Sequence, residues 1–123
     1  MFELKVTARF AAAHQLKMVE KKCENLHGHN WKIEIYVAGK TLNNAGVLID
    51  FGELKAHLSN VISKLDHRFL NDLDCFDDQR PPSSEVIARY IAHRLQREIK
   101  DLDIVVNRVT AWESDDACAT YIV

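Results

Sequence analysis

The segment His29-Asn-Trp-Lys-Ile-Glu-Ile-Tyr-Val-Ala38 decides the fold class, because apolar and polar side chains alternate along it. Four large apolar residues fall on one side of this segment: Trp31, Ile33, Ile35 and Val37. A period of two residues is typical of a β-strand with one buried face. We therefore expect a strand over His29–Ala38 at the centre of a half-buried sheet.

The segments around this strand predict three more strands and two helices. The further strands are expected at Phe2–Ala12, Ile104–Trp112 and Ala117–Val123. Asp50 and Glu53 form a capping pair that begins a helix over Phe51–Leu65, and Ser83 or Ser84 caps a second helix that runs to about Lys100. The order β-β-α-α-β-β predicts an α+β fold, with an antiparallel four-stranded sheet and two helices on one face.

Composition limits the classes of protein that this chain can belong to. The chain has 123 residues, 47% of them hydrophobic and 28% charged, and a net charge of −2. These values predict one globular domain over residues 1–123 and do not favour a nucleic-acid partner. We find no signal-peptide core and no apolar run of the ~20 residues that span a bilayer. Three widely spaced cysteines favour a reducing compartment, so we expect a cytoplasmic protein.

A His-Gly-His triplet suggests metal chemistry. His27 and His29 are two residues apart on an extended segment, so their side chains point to the same side. His14 ends the first predicted strand and would join them if the two strands pair. Three imidazoles with an open fourth position are typical of catalytic zinc. The alternative is three unrelated histidines at the surface or in hydrogen bonds.

Cys23 lies four residues before His27 and has three possible roles. It could be a fourth metal ligand, a thiolate base close to the metal, or a small buried residue. Spacing does not separate the ligand from the base.

Two acidic positions could also take part in chemistry. The adjacent Asp66 and His67 could orient each other and relay a proton, or they could be an ordinary charged helix end. Glu113 lies where an apolar strand meets a turn. Its carboxylate could hold an amidine-like edge through two hydrogen bonds, or it could face solvent.

Six short motifs together resemble the 6-pyruvoyl-tetrahydropterin synthase / 6-carboxytetrahydropterin synthase family, over Phe2 to Tyr121. They are Phe10-Ala-Ala-Ala-His14, Cys23-x-x-x-His27-Gly-His29-Asn30, Ile49-Asp50-Phe51-x-x-Leu54-Lys55, Leu65-Asp66-His67-x-x-Leu70-Asn71, Ser83-Ser84-Glu85 and Trp112-Glu113-Ser114. Each motif is weak, but six in this order are specific. The resemblance implies the tunnelling fold (T-fold), a homohexamer built from two trimers, and active sites between subunits.

The resemblance also implies a role for each matched residue. The zinc ligands would be His14, His27 and His29. Cys23 would be the general base, and Asp66 with His67 the proton relay. Glu113 would anchor the pterin, and the hydroxyl groups of Ser83 and Ser84 would lie near it.

The implied substrate is the small molecule 7,8-dihydroneopterin triphosphate. Zinc would act as a Lewis acid on its side-chain oxygens. Loss of triphosphate requires nearby cations, for which Arg9, Lys17 and Lys21 are candidates.

The product depends on the segment around Cys23. The three-residue gap before His27 resembles the 6-carboxytetrahydropterin synthases of the queuosine pathway, which release acetaldehyde and triphosphate. Glu24 also resembles members that cleave the side chain to give 6-hydroxymethyl-7,8-dihydropterin for folate. A 6-pyruvoyl-tetrahydropterin synthase is a further alternative. A non-catalytic pterin- or zinc-binding module is disfavoured, since every acid/base position is filled.

Overall fold

The computed structural model describes residues 1–17 and 26–123. Its longest strands are the first two, β1 (Phe2–His14) and β2 (His27–Gly39), which pair antiparallel from Phe2↔Gly39 to His14↔His27. Both strands extend beyond the predicted ranges, because the pairing continues to the histidines at the strand ends. The two histidine-bearing strands pair, which is the condition on which His14 was expected to join the other two histidines.

The sheet has five strands, so the predicted four-stranded antiparallel sheet is wrong. The strand order is β3-β1-β2-β4-β5, with β4 at Val105–Ser114 and β5 at Ala117–Ile122. The additional strand, β3 (Arg68–Phe69), pairs with β1 in parallel, which makes the sheet mixed. Two residues are too short to show an alternating pattern, which is why the sequence did not reveal this strand.

The two helices pack on one face of the sheet, as predicted. They are α1 (Phe51–Ile62) and α2 (Ser84–Glu98), each ending a few residues before the predicted end. The Asp50 carboxylate accepts a hydrogen bond from the Glu53 N–H at 3.1 Å, and the Ser83 hydroxyl accepts one from the Val86 N–H at 3.2 Å. These side chains satisfy N–H groups that the first helical turn leaves without partners.

Alternate strand residues and the apolar stripes of both helices form one core. The four residues that predicted the central strand are all fully buried in it: Trp31, Ile33, Ile35 and Val37. We call the side of the sheet that the helices cover the helix face, and the opposite side the open face. No helix within residues 1–17 and 26–123 is long and apolar enough to span a bilayer.

A buried carboxylate organises the open face. Glu34 accepts a hydrogen bond from the Lys5 ammonium at 2.9 Å and another from the Trp112 indole N–H. The hydrogen bond from Lys5 is the largest cause that holds the pKa of Glu34 below its usual value of 4.5. Ionised Glu34 therefore stabilises the fold.

Replacing Glu34 with glutamine should lower the free energy of unfolding by about 1–2 kcal/mol near neutral pH, because a charge-assisted hydrogen bond is lost. A carboxyl with a lowered folded pKa stabilises the protein above its unfolded pKa. The deficit of Glu34→Gln should therefore be full above pH 4.5 and shrink as the pH falls through the lowered pKa. Urea unfolding over this pH range measures it. Glu3→Gln is the control on the same face, and a deficit independent of pH would contradict the assignment.

Candidate metal centre and active site

Three histidines come together where β1 and β2 end. His14 and His27 are directly paired in the strand register, and His29 follows two residues along β2 on the same helix face. The ring centroids are 4.9 Å apart for His14–His27, 5.1 Å for His14–His29 and 4.4 Å for His27–His29. The structure thus places the three predicted ligands within one cluster.

Glu113 joins this cluster from β4. Its Oε1 atom lies 3.0 Å from His14 Nε2, 2.8 Å from His29 Nε2 and 3.7 Å from His27 Nε2. One ligand atom from each of these four residues lies within 4.8 Å of the others. A carboxylate oxygen among three imidazole nitrogens marks a point where a cation is favourable.

The hydrogen bonds of His14 test whether a metal would fit here. Its Nδ1 atom lies 2.8 Å from the carbonyl oxygen of Pro82. A carbonyl only accepts, so Nδ1 carries a hydrogen and Nε2 points its lone pair toward Glu113. Two acceptors at 3.0 Å require a proton or a cation between them. Ligand atoms on tetrahedral zinc lie about 3.3 Å apart. The donor atoms of this cluster all lie within 4.8 Å of one another, so the three histidines fit a metal of this kind.

The histidine cluster is held in place by contacts with Trp31 and Asn71. The His14 and His29 rings meet the ring of Trp31 edge to face, with centroids 5.2 Å and 5.6 Å away. The His14 side chain is only 1% exposed. The Asn71 amide accepts from the Gln15 N–H at 2.9 Å and donates to the Gln15 carbonyl at 2.8 Å. Asn71 therefore fixes the main chain directly after His14.

Asp66 and His67 are held against the outer edge of β1. The Ala11 N–H donates to Asp66 Oδ1 at 3.0 Å, and the His67 N–H donates to the Ala11 carbonyl at 2.6 Å. The hydrogen bond from Ala11 is the largest cause that lowers the pKa of Asp66. Asp66 Oδ1 also lies 3.0 Å from His67 Nδ1, so the predicted pair is in contact.

His67 is presented to solvent at the edge of the sheet. Its side chain is 81% exposed, and its φ of 58° lies in the left-handed region, which is unfavourable for a non-glycine residue. It lines an open cavity of about 460 Å³ together with His29 and with Ala11 and Ala13, whose side chains lie on the open face. Ala11 lies three residues before His14, which is about 10 Å along a strand.

The two predicted serines directly follow Pro82 in the chain, and Pro82 contacts the histidine cluster. Ser83 follows Pro82, whose carbonyl contacts His14, and its hydroxyl caps α2. Ser84 is the first residue of that helix. Both therefore lie at the helix start next to the cluster, and Ser83 also has a structural role.

Comparison with known proteins decides the family. Residues 3–122 match the family model described as 6-pyruvoyl tetrahydropterin synthase. The chain belongs to this family. The likeness extends over nearly the whole chain, as the six sequence motifs suggested.

Several relatives of this pterin synthase family member are named by the reaction they catalyse. A putative 6-carboxy-5,6,7,8-tetrahydropterin synthase of Archaeoglobus fulgidus is 34% identical over 114 residues, 93% of this chain and 90% of the relative. The 6-carboxy-5,6,7,8-tetrahydropterin synthase of Synechocystis is 41% identical over 71% of this chain and 69% of its own. A dihydroneopterin monophosphate aldolase of Pyrococcus furiosus is 35% identical over 89% of this chain and 87% of its own.

Solved structures of the pterin synthase family confirm the fold. The 6-pyruvoyl tetrahydropterin synthase of Caenorhabditis elegans superposes with a TM-score of 0.85 at 25% identity, over 99% of this chain and 95% of that one. The enzyme of Plasmodium vivax gives a TM-score of 0.77 at 27% identity, over 98% and 96%. The α+β architecture with two helices against a sheet is therefore that of this family.

Sequence reasoning missed three contributions to the site. The Pro82 carbonyl carries no side-chain signal, and the hydrogen bonds of Asn71 connect residues 56 positions apart. Glu113 was named from the sequence as a pterin anchor, but its position among the histidines was missed, because it depends on the pairing of Trp112 with Lys32. Cys23, Glu24 and Lys21 lie outside the described residues, so their roles stay predictions.

Proposed function

We propose that this family member is a zinc-dependent lyase, which converts 7,8-dihydroneopterin triphosphate into 6-carboxy-5,6,7,8-tetrahydropterin with release of acetaldehyde and triphosphate. The observation that carries this proposal is the donor cluster of His14, His27, His29 and Glu113 within a family whose relatives bear that name. The activity would supply a precursor of queuosine. The substrate is a small molecule, with no nucleic acid or membrane involved.

His14, His27 and His29 are proposed to hold the zinc. When bound, zinc would polarise the side-chain oxygens of the substrate and make the neighbouring C–H protons easier to remove. The Pro82 carbonyl holds His14 in the tautomer that directs Nε2 to the cluster. Glu113 would hold the amidine edge of the pterin with its carboxylate. In this structure the carboxylate lies among the three imidazoles, so the pterin would be held next to the zinc. Ser83 and Ser84 would lie near the pterin.

Cys23 and His67 are proposed to move protons. Cys23 would remove a proton from the substrate as a thiolate, because its position in the motif matches the general base. Asp66 lies against His67 Nδ1, which orients the imidazole and leaves Nε2 to exchange a proton with the substrate. The exposure of His67 suits a group that reaches a ligand outside its own chain.

A second copy of the chain is proposed to complete each site. The His67 side chain is 81% exposed at the edge of β1 and contacts Asp66, which suits a group that acts together with a second chain. Two sheet edges support assembly: among residues 1–17 and 26–123, β1 pairs with β3 only at Ala12 and Ala13, and β5 pairs only with β4. Unpaired edges favour pairing between chains, consistent with a homohexamer of two trimers.

Side-chain cleavage to 6-hydroxymethyl-7,8-dihydropterin is the second candidate function. It is favoured by the relative named dihydroneopterin monophosphate aldolase and by Glu24 in the motif. The formation of 6-pyruvoyl-tetrahydropterin is a further alternative within the family. In the second candidate, Glu24 replaces Cys23 as the residue that removes the proton.

Product analysis separates these functions. Zinc-loaded protein is incubated with 7,8-dihydroneopterin triphosphate, and the products are identified by mass spectrometry while acetaldehyde is trapped. We expect 6-carboxytetrahydropterin together with acetaldehyde, and we expect Cys23→Ala to retain zinc but lose turnover. A hydroxymethyldihydropterin product with greater sensitivity to Glu24→Ala would establish the second function instead. Pterin binding without any product would indicate a binding module.

A further inference from the structure

Two cations, Arg9 and Lys32, lie opposite each other on the open face of the sheet, and neither forms an ion pair within residues 1–17 and 26–123. The strand register places Arg9 directly opposite Lys32. Their chain neighbours Phe10 and Trp31 are buried on the helix face, so both cationic side chains lie on the open face. We propose that Arg9 and Lys32 form a polyphosphate subsite. This site deepens, and depends on, the function proposed above, which supplies the triphosphate group.

Two other cations of this face, Lys5 and Arg108, are already paired. Lys5 forms an ion pair with Glu34 at 2.9 Å, and Arg108 lies 3.5 Å from Glu3. Arg9 has no ion pair within residues 1–17 and 26–123. Lys32 has none there either, and its ammonium lies 5.9 Å from the centroid of the Trp112 ring.

This arrangement favours an anion. Like charges directly opposite on neighbouring strands destabilise a sheet, and an anion bound between them would reverse the sign of that interaction. Within residues 1–17 and 26–123, the acidic groups nearby include Glu34 and Asp115. Glu34 accepts hydrogen bonds from Lys5 and Trp112 and also attracts Lys32, and Asp115 lines a small cavity with Lys32. Neither neutralises Arg9.

The surface beside the pair has room for a phosphate chain. The open cavity of about 460 Å³ begins two residues beyond Arg9, with Ala11, Ala13 and Gly28 among its lining residues. A Cβ added at Gly28 would meet only a backbone oxygen, at 4.0 Å. Arg68 adds a further cation to this lining.

Lys17 is a poorer phosphate ligand than the sequence suggested. It lines a different cavity, of about 480 Å³, whose lining includes the carboxylates of Asp77 and Asp78. Arg80 pairs with Asp77 at 3.0 Å, but Asp78 has no ion pair within residues 1–17 and 26–123. Carboxylates beside Lys17 would repel a polyphosphate.

The location has a chemical consequence for the proposed reaction. His67 lines the same cavity as Ala11 and Ala13, so a triphosphate held by Arg9 and Lys32 would lie beside the proposed proton relay. The substrate would then contact His67 and the cations of one chain, and the histidine cluster of another. Arg9 and Lys32 neutralise the charge that develops as triphosphate leaves.

Binding of inorganic tripolyphosphate tests the subsite without turnover. The full chain is titrated by calorimetry at fixed ionic strength, with and without metal, because tripolyphosphate also chelates metal ions. Arg9→Gln and Lys32→Gln should each weaken binding about tenfold or more, since each removes a charge-assisted contact. Lys17→Gln is the matched control and should retain the affinity. Arg9→Gln should also raise KM for the substrate.

Three results would overturn the subsite. The first is an unchanged tripolyphosphate affinity in both Arg9→Gln and Lys32→Gln. The second is an equal loss of affinity in Lys17→Gln. The third is tripolyphosphate binding that occurs only with metal and is unchanged in Arg9→Gln. The proposed function is tested separately. If the expected product forms but Arg9→Gln and Lys32→Gln leave KM and tripolyphosphate affinity unchanged, the subsite is wrong and the function stands. If no product forms but both variants weaken tripolyphosphate binding, the function is wrong and a polyphosphate site remains.

Discussion

Replacing His29 with alanine should remove the bound zinc and lower turnover by about a thousandfold or more. His29 Nε2 lies 2.8 Å from Glu113 Oε1 in the cluster, so its loss removes one of three imidazole ligands. Lewis-acid catalysis contributes several kcal/mol of transition-state stabilisation, and each 1.4 kcal/mol corresponds to about a factor of ten in rate. Metal content is measured by elemental analysis after dialysis, and turnover by product formation.

His57→Ala is the matched control for this variant. His57 lies between Glu53 and Glu98 of the two helices, 3.7 Å from each carboxylate, and is not a member of the cluster. It should retain both metal and activity. One equivalent of zinc held with native affinity by His29→Ala would show that the donor set is wrong.

Mixing two inactive variants should restore activity if each site uses two chains. His67→Ala alone should lose about 10²–10⁴-fold in turnover, the usual contribution of a general acid or base. His29→Ala is inactive for a different reason, because its cluster is broken. If subunits assemble at random from an equal mixture, about a quarter of the sites combine an intact His67 with an intact cluster. Co-expressed variants should therefore regain up to about that fraction of activity.

A second mixture controls for nonspecific rescue. His14→Ala and His29→Ala remove residues that one chain supplies to one cluster, so their mixture should stay inactive. If the mixture of His67→Ala and His29→Ala also stays inactive, although mixed oligomers form, the site lies within a single chain.

The parts of the fold that could be predicted from the sequence are those with local periodicity. Alternation predicted β1 and β2, and their pairing explains why His14 meets His27 although the two residues are 13 positions apart in sequence. The capping residue Asp50 was also found, and Ser83 was one of two candidates for the second cap, because capping is a local hydrogen bond. Long apolar patterns and caps therefore predict elements and some of their contacts.

The remainder depends on contacts between distant residues. β3 lies beside β1 because Asp66 and His67 form hydrogen bonds with the main chain of Ala11. A strand of two residues has no sequence pattern that would predict these contacts. The position of Glu113 among the histidines requires the register of β4 on β2. His67 lies at the edge of β1 because the chain returns to that edge after α1, and a local sequence pattern does not predict this return. Such facts require three-dimensional packing.

The way in which His14 is held has a thermodynamic consequence. Its ring is fixed by the Pro82 carbonyl, and its main chain is anchored by the Asn71 amide on Gln15. The rotational freedom of the imidazole is therefore lost when the chain folds, and a metal that arrives later does not have to order it. Immobilising a side chain costs about 0.5–1.5 kcal/mol, so this preorganisation strengthens metal affinity by a similar amount. By linkage, the bound metal in turn stabilises the folded chain in proportion to the logarithm of its concentration above Kd.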